Sequence, residues 1–304
     1  MEDLSLLKIL ISFSLILQLN AESPSNRIVN GTLAKLGQFP FAVAIVRSYG
    51  SRIPFCSGTL ITPINVLTSA HCFRGSSSSR RISVLAGEID PLRPSSEKPP
   101  SSRQLRRVTS ITKHPRAVGQ DGKINDQFDV AILEVEKAFT LSSNVAPISM
   151  ASESLPNLSP CIAIGFGRNV EGPDGYNKSD RKLRYGKFTI NSRMCDRSFL
   201  KNSTYCVYSA ETFINFGDSG GPLIGGYTRQ NYHYGICSSG QERVSSYTNV
   251  TFNREWIIGN LKYGLKESSA TRTFKLHSFQ LLEDGIYGFL LQVILKKSCQ
   301  LSLF

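Results

Sequence analysis

Three short segments carry the residue types that acyl transfer requires: LTSAHC at 67–72, FDVAILEV at 128–135 and GDSGGPL at 217–223. Nucleophilic cleavage of an amide needs a hydroxyl to attack the carbonyl and an imidazole to take the hydroxyl proton. It also needs a carboxylate to fix the imidazole tautomer and stabilise its charged form. His71, Asp129 and Ser219 supply one of each, in that order along the chain. Taken singly, each has a plainer reading: a core histidine, a strand-edge carboxylate, a loop serine.

Such residues need a rigid framework to meet. The chain has 304 residues, 40% hydrophobic and 19% charged, which suits one large two-lobed domain or two small ones and is too apolar for a disordered protein. The runs AVAIV at 42–46, DVAILEV at 129–135 and CIAIGF at 161–166 lack helical periodicity, and Gly and Pro recur between such runs. These features point to an all-β sandwich or barrel.

The leading segment has Lys8, an apolar run from Ile9 to Leu19 and the small residue Ala21 before a polar stretch. It reads as a signal peptide over 1–21, and its apolar run is too short to serve comfortably as a membrane anchor. Seven cysteines fit an oxidising compartment, where pairs such as Cys56 with Cys72 and Cys195 with Cys206 would close short loops. The odd count leaves at least one thiol over. Asn30, Asn157, Asn177, Asn202 and Asn249 stand in Asn-x-Ser/Thr acceptor patterns, which support secretion weakly.

The formal net charge is +12, with clusters at Arg103, Arg106, Arg107, Lys113 and Arg116, and at Lys178, Arg181, Lys182, Arg184 and Lys187. Polyanions are candidate partners, against the simpler reading of a solvated basic face. Nucleic acid is not expected, because no aromatic residues are interleaved for base stacking.

From Arg27 to about Lys262 the chain resembles the chymotrypsin-like serine proteases. Beyond the three segments above, the resemblance rests on RIVNG at 27–31, GQFPFAV at 37–43, CSGTLI at 56–61, the GFG turn at 165–167 and EWI at 255–257. It implies two packed six-stranded antiparallel β-barrels, about 28–148 and 160–252, clasped by a short C-terminal helix around Asn253 to Tyr263. His71 and Asp129 would come from the first barrel and Ser219 from the second. Asp126 is the nearest rival carboxylate, but only Asp129 directly precedes the apolar VAIL run of the family pattern. The resemblance further implies an oxyanion hole from the backbone N–H groups of Gly217 and Ser219. It implies activation by cleavage after Arg27, the last residue of a propeptide at 22–27, whereupon the new ammonium of Ile28 buries itself against Asp218.

Specificity departs from the tryptic members. Six residues before Ser219, where those members carry Asp, stands Phe213. A Lys or Arg side chain would there bury its charge unpaired. Phe213, Ile214 and Ser245 are expected to form an apolar, shallow pocket with Gly240 leaving its mouth open, and Ser238 to Gly240 to offer backbone groups to an extended substrate. A Trp is usual at the place of Ser239. Cys161 lacks its usual partner after GGPL; it either pairs with Cys237 or packs as a small hydrophobe.

GSSSSRR at 75–81 and the basic, Pro-rich stretch 91–107 read as expanded loops, and Glu88 with Glu97 is a calcium pattern too Pro-rich to accept. Neither metal nor cofactor is expected. Residues 265–304 match nothing in the family; their apolar core, 285–297, is about half the length that crosses a bilayer. The expectation is thus a secreted, extracellular serine endopeptidase with a domain at 28–264. Its partners are protein or peptide substrates, an activating protease, and protein inhibitors or polyanions. The rivals are a protease-like binding or regulatory protein of low turnover and, more weakly, a polyanion-binding adhesion module.

Overall fold

The computed structural model describes residues 31–48, 52–74, 79–94, 96–168, 180–194, 202–225, 231–241 and 243–261. After a two-residue strand, β1 (Thr32–Leu33), the first barrel comprises β2 (Ala42–Arg47), β3 (Pro54–Leu60), β4 (Asn65–Thr68), β5 (Ile82–Ala86), β6 (Gln104–Lys113) and β7 (Ala131–Val135). These close in the order β2-β3-β4-β7-β6-β5, all antiparallel. The second barrel comprises β8 (Pro160–Gly165), β9 (Arg184–Ile190), β10 (Thr204–Tyr208), β11 (Pro222–Gly225), β12 (His233–Gln241) and β13 (Val244–Asn249). It runs β9-β10-β13-β12-β11-β8 and closes through β8 and β9, with β1 paired to the start of β9. The fold is therefore the expected pair of six-stranded antiparallel barrels, with one short helix, α1 (Arg254–Gly259), among the described residues.

The apolar runs are continuous because both of their faces are covered. Successive side chains on a strand point to opposite faces. On β2, Val43 and Ile45 enter the core of the first barrel, while Ala42, Ala44 and Val46 join a second cluster with Leu85, Ile164, Phe166 and Ile224. That cluster takes residues from both barrels, so it is the seam between them. On β7, Ala131, Leu133 and Val135 point inward and Ile132 points to another shared cluster, with Leu67, Ile236 and Ile257 of α1. On β8, Cys161 and Ala163 fill the second barrel and Ile164 faces the seam. Each fully buried aliphatic chain contributes roughly 1.5–3 kcal/mol relative to an exposed one. The same strands that build each barrel thus fasten the two together, which fixes the crevice between them.

Several expectations change. The stretch 91–107 is not loop throughout, because Gln104 to Arg107 begin β6, paired with β5. Half-buried Gln104 and Arg106, the latter over the Phe139 ring, alternate with exposed Leu105 and Arg107, so no apolar run marks the strand. Basic residues grouped as a solvated face are partly engaged: Arg103 pairs with buried Glu88 at 3.0 Å, Arg107 with Glu136 at 3.4 Å, and Arg116 lies 3.8 Å from the Phe128 ring centroid. The Glu88 carboxylate also accepts the backbone N–H groups of Ile89 and Asp90, and Arg93 bridges it to Glu97, so arginines fill the place the calcium pattern suggested. Asn249 is buried and donates to Ser154 and to the Asn202 carbonyl, which removes it as a glycan acceptor; Asn157 and Asn202 are exposed.

Cys56 and Cys72 form a disulfide. Cys206 is disulfide-bonded, with a partner outside the described residues, where Cys195 also lies. Cys161 and Cys237 are both free and buried, so no bridge joins them; burial pushes the Cys161 thiol up to about 12. The expected signal peptide at 1–21 and propeptide at 22–27, with Ile28, the acceptor patterns at Asn30 and Asn177, and residues 265–304 also fall outside the described residues.

Candidate active site

His71 lies in a single 3₁₀ turn, Ala70–Phe73, that follows β4. Ala70 and Phe73 are buried, and the Cys56 disulfide ties the next residue, Cys72, to β3, so the imidazole is held on both sides. Asp129 lies just before β7 and is fully buried. Its Oδ2 stands 2.6 Å from His71 Nδ1, and its Oδ1 accepts the His71 backbone N–H at 2.9 Å. Two contacts from one carboxylate set both the position and the ring orientation of His71.

A second donor completes the carboxylate. Ser238 Oγ donates to Asp129 Oδ2 at 2.6 Å. The register of β12 against β13 shifts between Cys237 and Ser239, leaving Ser238 without a cross-strand partner. A bulge of this kind re-aims a side chain, here toward Asp129. Sequence reading placed Ser238 among backbone donors to substrate and missed this role. Asp126, the rival carboxylate, accepts from Ser238 Oγ at 3.3 Å and Ser239 Oγ at 3.1 Å and makes no hydrogen bond to His71 among the described residues.

Ser219 sits in the turn before β11 and lines the same cleft as His71. No hydrogen bond joins the two among the described residues; such bonds are commonly long before substrate arrives and tighten in the reacting complex. The Ser219 loop lies hard against the first barrel. The Ser57 N–H donates to the Ser219 carbonyl at 2.8 Å, and a Cβ on Gly220, at φ +81°, would overlap Thr68 Oγ1 and the Ser57 carbonyl. Only glycine lets the loop approach β3 and β4 so closely.

Gly217 has φ +101°, again a conformation that favours glycine. The carbonyls around it are held: Ser57 Oγ donates to the Gly217 carbonyl at 2.8 Å, and the Arg168 N–H donates to the Phe216 carbonyl at 2.9 Å. The N–H groups of Gly217 and Ser219 have no hydrogen-bond partner among the described residues, while their neighbours Asp218, Gly220 and Gly221 all donate to carbonyls. Two adjacent unused donors beside a serine hydroxyl make a receptor for a developing oxyanion.

Asp218 is buried. Its carboxylate accepts the Gly167 N–H at 2.8 Å and the Asn215 N–H at 2.9 Å, and a Cβ on Gly165 or Gly167 would overlap it. The GFG turn is thus a cradle for this carboxylate. Burial pushes its pKa up to about 6, against the downward pull of the two N–H groups and of Arg181.

The pocket beyond Ser219 is lined by Phe213, Ile214, Gly240 and Ser245. Gly240 does not leave the mouth open. A Cβ built there would stand 2.5 Å from Ile214 Cγ1 and 3.0 Å from Ser245 Oγ, so Ile214 occupies the space beside it. Ser245 Oγ is buried and has no hydrogen-bond partner among the described residues.

A family model described as Trypsin matches residues 28–257. Ovochymase of Halocynthia roretzi is 26% identical over 279 residues, which cover 88% of this chain and 17% of ovochymase. The chain therefore spans about a sixth of that relative's length. The solved structure of neuropsin, a serine protease expressed in the limbic system of mouse brain, superposes with a TM-score of 0.63 at 21% identity, covering 76% of this chain and 99% of neuropsin, a likeness of fold. With the family match covering most of its length, the chain belongs to the trypsin family of chymotrypsin-like serine proteases.

Proposed function

We propose that the protein is a secreted serine endopeptidase that hydrolyses peptide bonds through an acyl-enzyme on Ser219. In this reading Ser219 Oγ attacks the scissile carbonyl, His71 Nε2 takes its proton and returns it to the leaving amine, and Asp129 holds His71 in the required tautomer. The N–H groups of Gly217 and Ser219 receive the oxyanion, each contributing on the order of 3 kcal/mol. The observation that carries the reading is the 2.6 Å contact of His71 Nδ1 with buried Asp129 in the cleft that Ser219 lines.

The electrostatics of Asp218 support activation by cleavage after Arg27. Burial disfavours the Asp218 anion and raises its pKa, and the ammonium of Ile28 would stabilise the charged form as a buried pair. Secretion is supported by the leader segment and by the Cys56–Cys72 disulfide. The side chain accepted before the scissile bond is apolar and small, because Phe213 offers no charge and Ile214 narrows the pocket at Gly240.

The test is to cleave after Arg27, expose the product to a fluorophosphonate and locate the adduct by mass spectrometry, with Ser219→Ala as the control. Labelling at Ser219 and hydrolysis of a peptide library after small apolar residues are expected. Absence of labelling in the cleaved protein would favour the low-turnover binding protein instead.

A further inference from the structure

Arg181 belongs to no part of the machinery described so far, yet its side chain ends there. Its backbone takes φ +48°, unusual for a residue with a Cβ, and the residue is only 8% exposed. Its Nη1 donates to the Phe216 carbonyl at 2.7 Å, across 35 residues of sequence. The same nitrogen lies directly beside Gly217, where a Cβ would overlap it. A guanidinium keeps its charge even when burial disfavours it. Burial lowers the Arg181 pKa and Arg168 lowers it further, while Asp218 pushes it back up. A buried cation therefore stands behind the Ser219 loop within electrostatic reach of Asp218.

The consequence follows from peptide geometry. In a planar trans peptide the C=O and the N–H point in opposite directions, and no cis peptide occurs among the described residues. The Phe216 carbonyl accepts from both the Arg168 N–H and Arg181 Nη1. Fixing that oxygen on the arginine side turns the Gly217 N–H to the opposite side, where it has no partner among the described residues. Glycine at 217 makes rotation of this peptide sterically easy, so the hydrogen bonds to the carbonyl decide which way it faces. The Arg168 bond is a neutral one, whereas the Arg181 bond is charge-assisted and the stronger of the two.

We propose that Arg181 is a positioning residue for the oxyanion hole: its guanidinium holds the Phe216–Gly217 peptide so that the Gly217 N–H is presented to the reacting carbonyl oxygen. The proposal rests on the endopeptidase reading and deepens it. Such a role acts on the transition state and leaves ground-state binding of substrate alone.

The test compares Arg181→Ala and Arg181→Lys with the parent, each cleaved after Arg27. With Arg181→Ala, kcat should fall roughly 10- to 100-fold with KM within about twofold, and affinity for a peptidyl boronate, whose tetrahedral adduct fills the hole, should fall by the same factor. Arg181→Lys, which can still reach the carbonyl with one charged donor, should recover part of the loss. A thermal melt accompanies each variant. Unchanged kcat and boronate affinity in Arg181→Ala would overturn the proposal, as would a loss that vanishes when the variant is assayed well below its melting temperature. Crystal structures of parent and Arg181→Ala give a readout independent of turnover: the Phe216 carbonyl should rotate toward the cleft in the variant, and an unmoved carbonyl overturns the proposal. If the parent itself hydrolyses nothing, the endopeptidase reading fails while the carbonyl orientation still decides the part played by Arg181.

Discussion

Ser238 Oγ and His71 Nδ1 each stand 2.6 Å from the same oxygen of Asp129, Oδ2. The carboxylate is fully buried, so its negative charge must be satisfied by such donors. Replacing Ser238 by Ala removes one of them while keeping the bulged backbone. We expect a stability loss of about 1.5–3 kcal/mol, the usual range for a hydrogen bond to a charged group. Turnover of the cleaved protein should fall roughly tenfold with little change in KM, because His71 loses part of its alignment in the reacting complex. Equal urea midpoints and equal kcat for Ser238→Ala and parent would show the contact to be idle.

The pocket gives a prediction of opposite character, a gain. Ile214 fills the space beside Gly240. Shortening Ile214 to Ala opens that space without adding charge. The ratio of kcat/KM for substrates with Phe rather than Ala before the scissile bond should rise roughly 10- to 100-fold, the scale set by one to three kcal/mol of apolar contact. A library profile that does not shift toward larger side chains would mean that Phe213, rather than Ile214, sets the depth.

What the sequence revealed and what it hid divide along a physical line. His71, Asp129 and Ser219 were legible because their chemistry is rare and their flanking letters are specific; the all-β class was legible because strands covered on both faces read as unbroken apolar runs, while the pair of barrels came from the family resemblance. Ser238 was hidden because its role depends on a one-residue register shift in β12, which leaves no mark on composition or periodicity. Arg181 was hidden among other basic residues, since a contact made across 35 residues cannot be told from a solvated face by charge alone. The partners of Glu88 were hidden too, because carboxylates that bind arginine and carboxylates that bind calcium are the same letters; the structure places Arg93 and Arg103 on it.

The Cys56–Cys72 disulfide closes a loop with a sequence separation of 16 that contains β4 and His71. Restricting a loop of that size in the unfolded chain stabilises the folded state by about 3 kcal/mol in the chain-entropy account. The Cys56→Ala, Cys72→Ala double variant should lose stability of that order in urea unfolding. It should also lose turnover beyond what global unfolding explains, because Cys72 no longer anchors the His71 turn to β3. A double variant with parental kcat at low temperature would confine the bridge to a role in stability.

Two buried groups set opposing pH dependences in the uncut chain. Asp218 is raised from 3.8 to about 6 by burial, so its contribution to stability is full below pH 3.8 and is lost as pH rises through 6. His233 is lowered from 6.5 to about 4, also by burial, partly offset by its Nε2 contact with the Gly235 carbonyl at 2.9 Å. Its contribution is full above pH 6.5 and is lost as pH falls through 4. Each amounts to roughly 3 kcal/mol across its range, and the ranges overlap, so they nearly cancel in the parent. Substituting either group should expose the other. Asp218→Asn should gain stability relative to the parent as pH rises from 4 to 6, and His233→Gln should lose it over the same span. Urea unfolding of the three uncut proteins at pH 4, 5, 6 and 7 measures these differences, with the surface carboxylates common to all. Parallel profiles for the parent and Asp218→Asn would mean that Asp218 is already paired with a cation before the cut, and Arg181 would be the group to examine.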